Sequence, residues 1–250
     1  MIEPWNIKQD DTRISDSLPT FIIFCEDEVS EPIYFKYFET SKIKVNPIDK
    51  QKSKIENVLK AICYCEKNGL MELKNGVLCL QSENTQIWCV YDRDIEEIES
   101  ELLLGNNKFD ESVETAKAKG FKVAWSNDAF ELWVLLHFED IDLANENNKN
   151  RKTYYDRLTD IFKSLSDPNE DLKNALKHES FNYKKDLKHE NNFRNIVRKE
   201  IIGKTKDAIK RAKKLEEHYS AITIPNHDKS PCTLVHHLVE ELIRLGGKKI

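Results

Sequence analysis

The chain has 250 residues but only 7 Gly and 7 Pro, too few for collagen-like or Pro-rich low-complexity architectures. No apolar run comes near the roughly 18 residues needed to cross a bilayer. Met1–Pro19 is polar, with Lys8, Asp10, Asp11 and Arg13 and none of the apolar stretch of a secretory signal. A cytoplasmic protein that does not enter membranes is therefore expected. The cysteines Cys25, Cys63, Cys65, Cys79, Cys89 and Cys232 form no C-x-x-C pair, and Cys63-x-Cys65 has the wrong spacing for a zinc ribbon. They are expected to be buried thiols. A G-x-x-x-x-G-K-[ST] loop is also missing, so any nucleotide hydrolysis must come from another protein. Finally, the net charge of −5 shows no overall basic excess of the kind that favours nucleic acid.

The distribution of charge says more than its sum. Between Lys184 and Lys214, 12 Lys/Arg stand against 4 Asp/Glu, a local net of 12 − 4 = +8, whereas the acidic clusters lie in the N-terminal half. Lys206, Lys210, Arg211 and Lys214 recur at i, i+4, i+5 and i+8 and share a broad helical face. With Lys184 and Lys185 they are the candidate phosphate-binding residues, a surface whose affinity would fall steeply with salt. No base-reading motif accompanies them. A solvated, salt-bridged helix or a docking face for an acidic partner would use the same residues.

Short apolar runs alternate with helical periodicity through the first half. Thr20–Cys25 and Gln86–Tyr91 read as strands buried on both faces, Ile43–Ile48 and Phe121–Trp125 as further strands. Ser30–Phe38, with Ser30 as N-cap, Ser53–Lys67, Lys108–Lys119 and the segment after Asp128 read as helices. The β-α-β-α-β-α order predicts an α/β fold with a mainly parallel sheet flanked by helices. Three regions are expected: a polar extension at 1–19, an α/β domain at 20–140, and a mostly helical lobe at 141–250 whose last helix packs back on the sheet. On the apolar helices, His137, His236 and His237 are expected to be core histidines.

Three acidic positions fall where α/β folds place chemistry. Glu26 follows the first strand, Asp92 and Asp94 follow the central one, and Glu131 opens a helix after a further strand. Carboxylates gathered at strand ends repel one another unless a cation joins them. Mg²⁺ or Mn²⁺, hard ions that take oxygen ligands, would supply that charge. The plainer alternative makes Glu26 and Glu28 surface turn residues and has Asp92 and Asp94 cap a helix starting near Ile95. Glu31 is a second acidic position after the first strand, though one turn into its helix it would only face solvent.

A strand-terminal Glu followed about 65 residues later by D-x-D looks like the Toprim pattern. Moreover, F-C-E-D-E-V-S-E-P-I-Y-F (24–35), I-W-C-V-Y-D-R-D (87–94), S-N-D-A-F-E-L-W-V-L-L-H-F (126–138) and P-C-T-L-V-H-H-L-V-E-E-L (231–242) together resemble RloB-like proteins. The resemblance implies a Toprim-like sheet and a role in prokaryotic anti-phage, abortive-infection-type defence beside a companion ATPase. It implies Glu26, Asp92 and Asp94 as metal-binding carboxylates, with Glu131 as a further ligand or general base. This chain departs from the family at Asp27, where Gly is usual, which bears on the backbone around Glu26. The expected activity is metal-dependent cleavage of phosphodiester bonds in DNA or RNA. Two rivals stand beside it: a non-catalytic subunit binding nucleic acid or a partner, and a small-molecule phosphohydrolase or phosphotransferase. A homo-oligomer is among the assemblies the sequence leaves open.

Overall fold

The computed structural model describes residues 18–95 and 98–249; most of the expected 1–19 extension lies outside them. Four parallel strands form the main sheet: β1 (Thr20–Cys25), β2 (Lys44–Ile48), β5 (Thr85–Asp92) and β6 (Lys122–Ser126), in the order β2-β1-β5-β6. The expected α/β fold with a parallel sheet flanked by helices is what the chain adopts.

Strand side chains alternate between faces, and here both faces are covered. Phe21, Ile23, Cys25, Trp88 and Val90 join a core with α1 (Ser30–Lys36), α4 (Glu131–Leu135), α5 (Arg151–Lys163), α9 (Thr205–Ser220) and α10 (Val235–Gly246). Ile22, Phe24, Ile87, Cys89 and Tyr91 join a second core with α2 (Lys54–Lys67) and α3 (Glu99–Ala118). The first core draws residues from both sides of position 140. Between α5 and α9 the chain forms α6 (Glu170–Ala175), a π-helical turn (Tyr183–Leu187), and α7 (Glu190–Asn192) running through a second π turn into α8 (Arg198–Ile202). Among the described residues no helix is long and apolar enough to cross a membrane.

Several local expectations need correction. The helix α3 begins at Glu99, not Lys108. Its buried residues start only at Phe109, while Leu103 and Leu104 are exposed, so the first half carries no amphipathic period. An unanticipated hairpin, β3 (Met71–Lys74) and β4 (Val77–Leu80), turns on Asn75-Gly76, both at positive φ. That is the two-residue turn matched to strand twist. Ser30 is a buried first-turn residue without a capping bond. The cap comes from Asp27, whose Oδ1 accepts from the N–H groups of Val29 and Ser30. Of the cysteines, Cys63 is exposed and Cys79 half-buried, the other four being buried.

Candidate functional site

Strand order decides which loops meet. The connection from β1 runs outward to β2, and the chain then returns to place β5 on the other side of β1. Loops after β1 and β5 therefore diverge and leave a crevice at their C-terminal ends, the usual binding place in open α/β sheets. Glu26 stands at the end of β1 and Asp92 at the end of β5. The Glu26 N–H donates to the Val90 carbonyl (3.2 Å), and its Oε2 accepts from the Asp92 N–H (2.9 Å). Asp92 Oδ2 accepts from the Phe130 N–H (3.0 Å), which ties in the loop after β6. Asn57 on α2 donates to the carbonyls of Phe24 and Val90, buttressing both strand ends from behind.

The D-R-D turn is held by its middle residue. Buried Arg93 donates to Asn106 and Asn127, anchoring the turn to α3 and to the loop after β6. Asp94 (φ 54°) and Asp128 (φ 77°) both sit in the left-handed region, conformations that non-Gly residues keep only where their surroundings hold them. Here the holder is Arg151 at the start of α5. It pairs with Asp94 Oδ1 and, at 2.9 Å, with Asp128 Oδ1, while Asp128 also accepts from the Ile95 N–H. Asp27, by contrast, is not at positive φ, so a side chain there demands no strained backbone.

Glu31 is buried rather than solvent-facing, at 1% exposure. Its Oε2 accepts from the Asp27 N–H at 3.3 Å, and its Oε1 has no hydrogen-bond partner. Burial and the nearby charges of Asp92, Asp27 and Glu26 hold its pKa well above the carboxylate range. Burial, with Glu26, Asp94 and Glu131, does the same to Asp92. Glu26 is pushed up to about 8 by burial and Asp94, against the opposing Asp92 N–H, Lys54 and Arg151. Crowded carboxylates of this kind either take up protons or bind a cation.

A pH dependence follows. Folded Glu26 keeps its proton to about pH 8, whereas its ordinary value is 4.5. The folded state then binds more protons than the unfolded one across that window, so metal-free stability should fall as pH rises from about 4.5 to 8. A divalent cation joining these carboxylates would reverse the fall, with affinity rising about tenfold per pH unit for each displaced proton. Thermal melts from pH 5 to 8.5, with and without Mg²⁺, measure both trends. Glu26→Gln should flatten the metal-free slope; an unchanged slope in that variant would remove Glu26 as its source.

Glu131, also 1% exposed, lies close enough to raise Asp92, and its Oε1 is 2.7 Å from Lys188 Nζ. Lys188 and the exposed Lys184 both lie over the Tyr155 ring, so Lys184 reaches the margin of the site; Lys185 is exposed on the same turn. The α9 cations divide. Arg211 donates to the Leu136 carbonyl, and both Arg211 and Lys214 pair with Asp140, while Lys206 and Lys210 are exposed. The cations whose fields reach Glu26 are instead Lys54 and Arg151. Lys54 also lines a cleft of about 390 Å³ with Lys52 and Lys108. Sequence reasoning missed Asp128, Arg151, Asn57 and this cleft; only Asp128 carried a signal, as part of the S-N-D-A-F-E segment.

The segments that build this crevice lie within one longer match. The family model for RloB-like proteins matches residues 21–242, from the second residue of β1 to within α10. The chain belongs to the RloB-like family. No curated protein and no solved structure matches it. In this RloB-like protein His137 is a core residue, 3.1 Å from the Tyr34 hydroxyl and 2.9 Å from the Trp133 carbonyl. Burial lowers its pKa to about 3 and keeps it neutral. His236 is buried as well, but His237 is 45% exposed, and both rings meet Glu216.

Proposed function

We propose that this RloB-like protein is a Toprim-type nuclease that cleaves phosphodiester bonds with Mg²⁺ or Mn²⁺ held by Glu26, Asp92 and Asp94. The observation that carries the reading is the buried, mutually repelling carboxylate group at the crevice, including a Glu31 oxygen left without a partner. An oxygen-ligating divalent ion fits such a donor set. When bound, it polarises a phosphoryl oxygen and lowers the pKa of an attacking water. Lys52, Lys54 and Lys108 line a cleft that they share with Glu56 and Glu101; Lys54 is the one whose field reaches Glu26, and these lysines would hold the phosphates of the polymer. Glu131, already engaged by Lys188, would orient rather than accept a proton. Family membership supports the setting in anti-phage defence with a companion ATPase.

One observation favours a second reading, a non-catalytic subunit that binds nucleic acid or that ATPase. Arg151 already neutralises Asp94, so Asp94 would have to exchange this partner for the ion. Incubation of the full chain with plasmid, single-stranded DNA and total tRNA, in Mg²⁺ or Mn²⁺ and then EDTA, separates the two. Cleavage that EDTA abolishes is expected. Intact polymers, even with the ATPase added, would leave the binding subunit, and turnover of small phosphate esters alone would leave a phosphohydrolase. The same substrates discriminate between the cleft and α9. Lys52→Glu/Lys108→Glu should lower the salt dependence of duplex binding by about 2 in the log–log slope. Lys206→Glu/Lys210→Glu should leave it unchanged; the opposite pattern would move the phosphate surface to α9.

A further inference from the structure

A second group of ligating side chains lies on α9 and α10. Glu216, His236 and His237 bring one carboxylate and two imidazoles within 4.8 Å of one another. His236 Nε2 is 2.9 Å from Glu216 Oε2, and His237 Nε2 is 3.0 Å from Glu216 Oε1. The two rings lie side by side, with centroids 4.1 Å apart.

The hydrogen bonding of His236 makes the arrangement informative. This ring is fully buried, and its Nδ1 lies 3.1 Å from the Thr233 carbonyl oxygen. A carbonyl only accepts, so Nδ1 carries a proton. In the neutral ring the Nε2 lone pair then points at a carboxylate oxygen, an acceptor facing an acceptor. A cation between them removes the conflict, either a second proton on the ring or a metal ion. His237 meets Glu216 Oε1 as a neutral ring with its proton on Nε2, so the unmatched contact is the one made by the fully buried His236. One divalent ion would satisfy all three ligand atoms at once.

We propose that Glu216, His236 and His237 form a three-ligand site for a divalent transition ion, Zn²⁺ by its ligand chemistry, which clamps α10 to α9. Two imidazoles and one carboxylate suit zinc rather than Mg²⁺. The Nδ1–H to carbonyl bond of His236 is the outer contact that orients metal-bound histidines. At Zn–N and Zn–O distances near 2.0–2.1 Å, tetrahedral ligand atoms stand about 3.3 Å apart, so the two His–Glu spacings need open by only a few tenths of an ångström, and the whole group, already within 4.8 Å, closes around the ion by side-chain adjustment. Glu216 and His237 are partly exposed, leaving a fourth position for water. Independence from the crevice is built in, since none of the three residues contributes to the carboxylate group at the strand ends.

The test is calorimetric titration of Zn²⁺ into the chelator-stripped full chain, alongside thermal melts and the visible absorption of added Co²⁺. One saturable Zn²⁺ per chain is expected at these ligands, with a rise in melting temperature and Co²⁺ bands of tetrahedral intensity. Glu216→Gln and His237→Gln, both at partly exposed positions, should each weaken Zn²⁺ binding by about a hundredfold or more, since ligand loss exceeds the roughly 10–100-fold effect of outer contacts. Circular dichroism would verify that both variants fold. Asp92→Asn, altered only in the crevice, should keep the Zn²⁺ held by Glu216, His236 and His237. Absence of saturable binding overturns the proposal, and so does binding that survives in both α9–α10 variants or disappears in Asp92→Asn. Failure of the nuclease reading would leave these results untouched.

Discussion

Asp92→Asn is expected to lower the proposed metal-dependent cleavage about 10³-fold while leaving the protein folded. Loss of a metal-held charge at the transition state costs several kcal/mol, and each 1.36 kcal/mol is tenfold in rate. The amide oxygen of Asn can still accept from the Phe130 N–H, so the link between β5 and the loop after β6 survives. What disappears is a charge that Glu26, Asp94 and Glu131 all oppose. The metal-free variant should therefore melt at or above the temperature of the parent, at pH 7 to 8 especially. Single-turnover cleavage in Mn²⁺, paired with melts of both proteins in EDTA, separates lost chemistry from lost structure. Cleavage within tenfold of the parent would show that the ion does not depend on Asp92, and the nuclease assignment of this crevice would fall.

Lys188→Met should be the most destabilising change near the site that removes no large core side chain. Glu131 is almost wholly buried and Lys188 about a quarter exposed, with 2.7 Å between Oε1 and Nζ. Removing one partner of a buried pair costs about 3–5 kcal/mol because the other charge is left uncompensated. The partial exposure of Lys188 argues for the lower end, about 3 kcal/mol. Met keeps much of the apolar stem and so isolates the charge. Adding Glu131→Gln to Lys188→Met should recover most of the loss, since the amide needs no counter-charge. Urea unfolding of the parent, both single variants and the double variant gives the coupling directly. Equal midpoints for the parent and Lys188→Met would mean that solvent screens Glu131 and that the pair contributes little.

Much of the site is legible in the sequence because its signals are local. Glu26 and Asp92 announce themselves by standing at the ends of apolar strands, and the alternation of strand and helix periods announces the parallel sheet. Glu31 defeats the same reasoning. Its place one turn into a short helix says nothing about what covers it, and Asp92, whose charge bears on it most, lies far along the chain. Arg151 belongs to a stretch that reads only as the approach to a helix, yet it binds Asp94 and Asp128, 57 and 23 residues away. The α9 cations show the reverse error. Their spacing defines a common face correctly, but Arg211 and Lys214 turn that face to Asp140 and the end of the α4 segment.

The sequence by itself determined the fold class, the family and the acidic strand ends, since burial period, strand composition and motif order are properties of short stretches. Tertiary structure alone decided which charges meet. Placing β5 beside β1 rather than beside β2 is what sets Asp92 against Glu26 across 66 residues of chain. The packing of α1 and α4 into the shared core then buries Glu31 and Glu131, and the start of α5 delivers Arg151. The reason is electrostatic as much as topological: how strongly a carboxylate resists ionisation depends on the water removed from it and on the charges within a few ångströms. Neither quantity exists until the chain has folded.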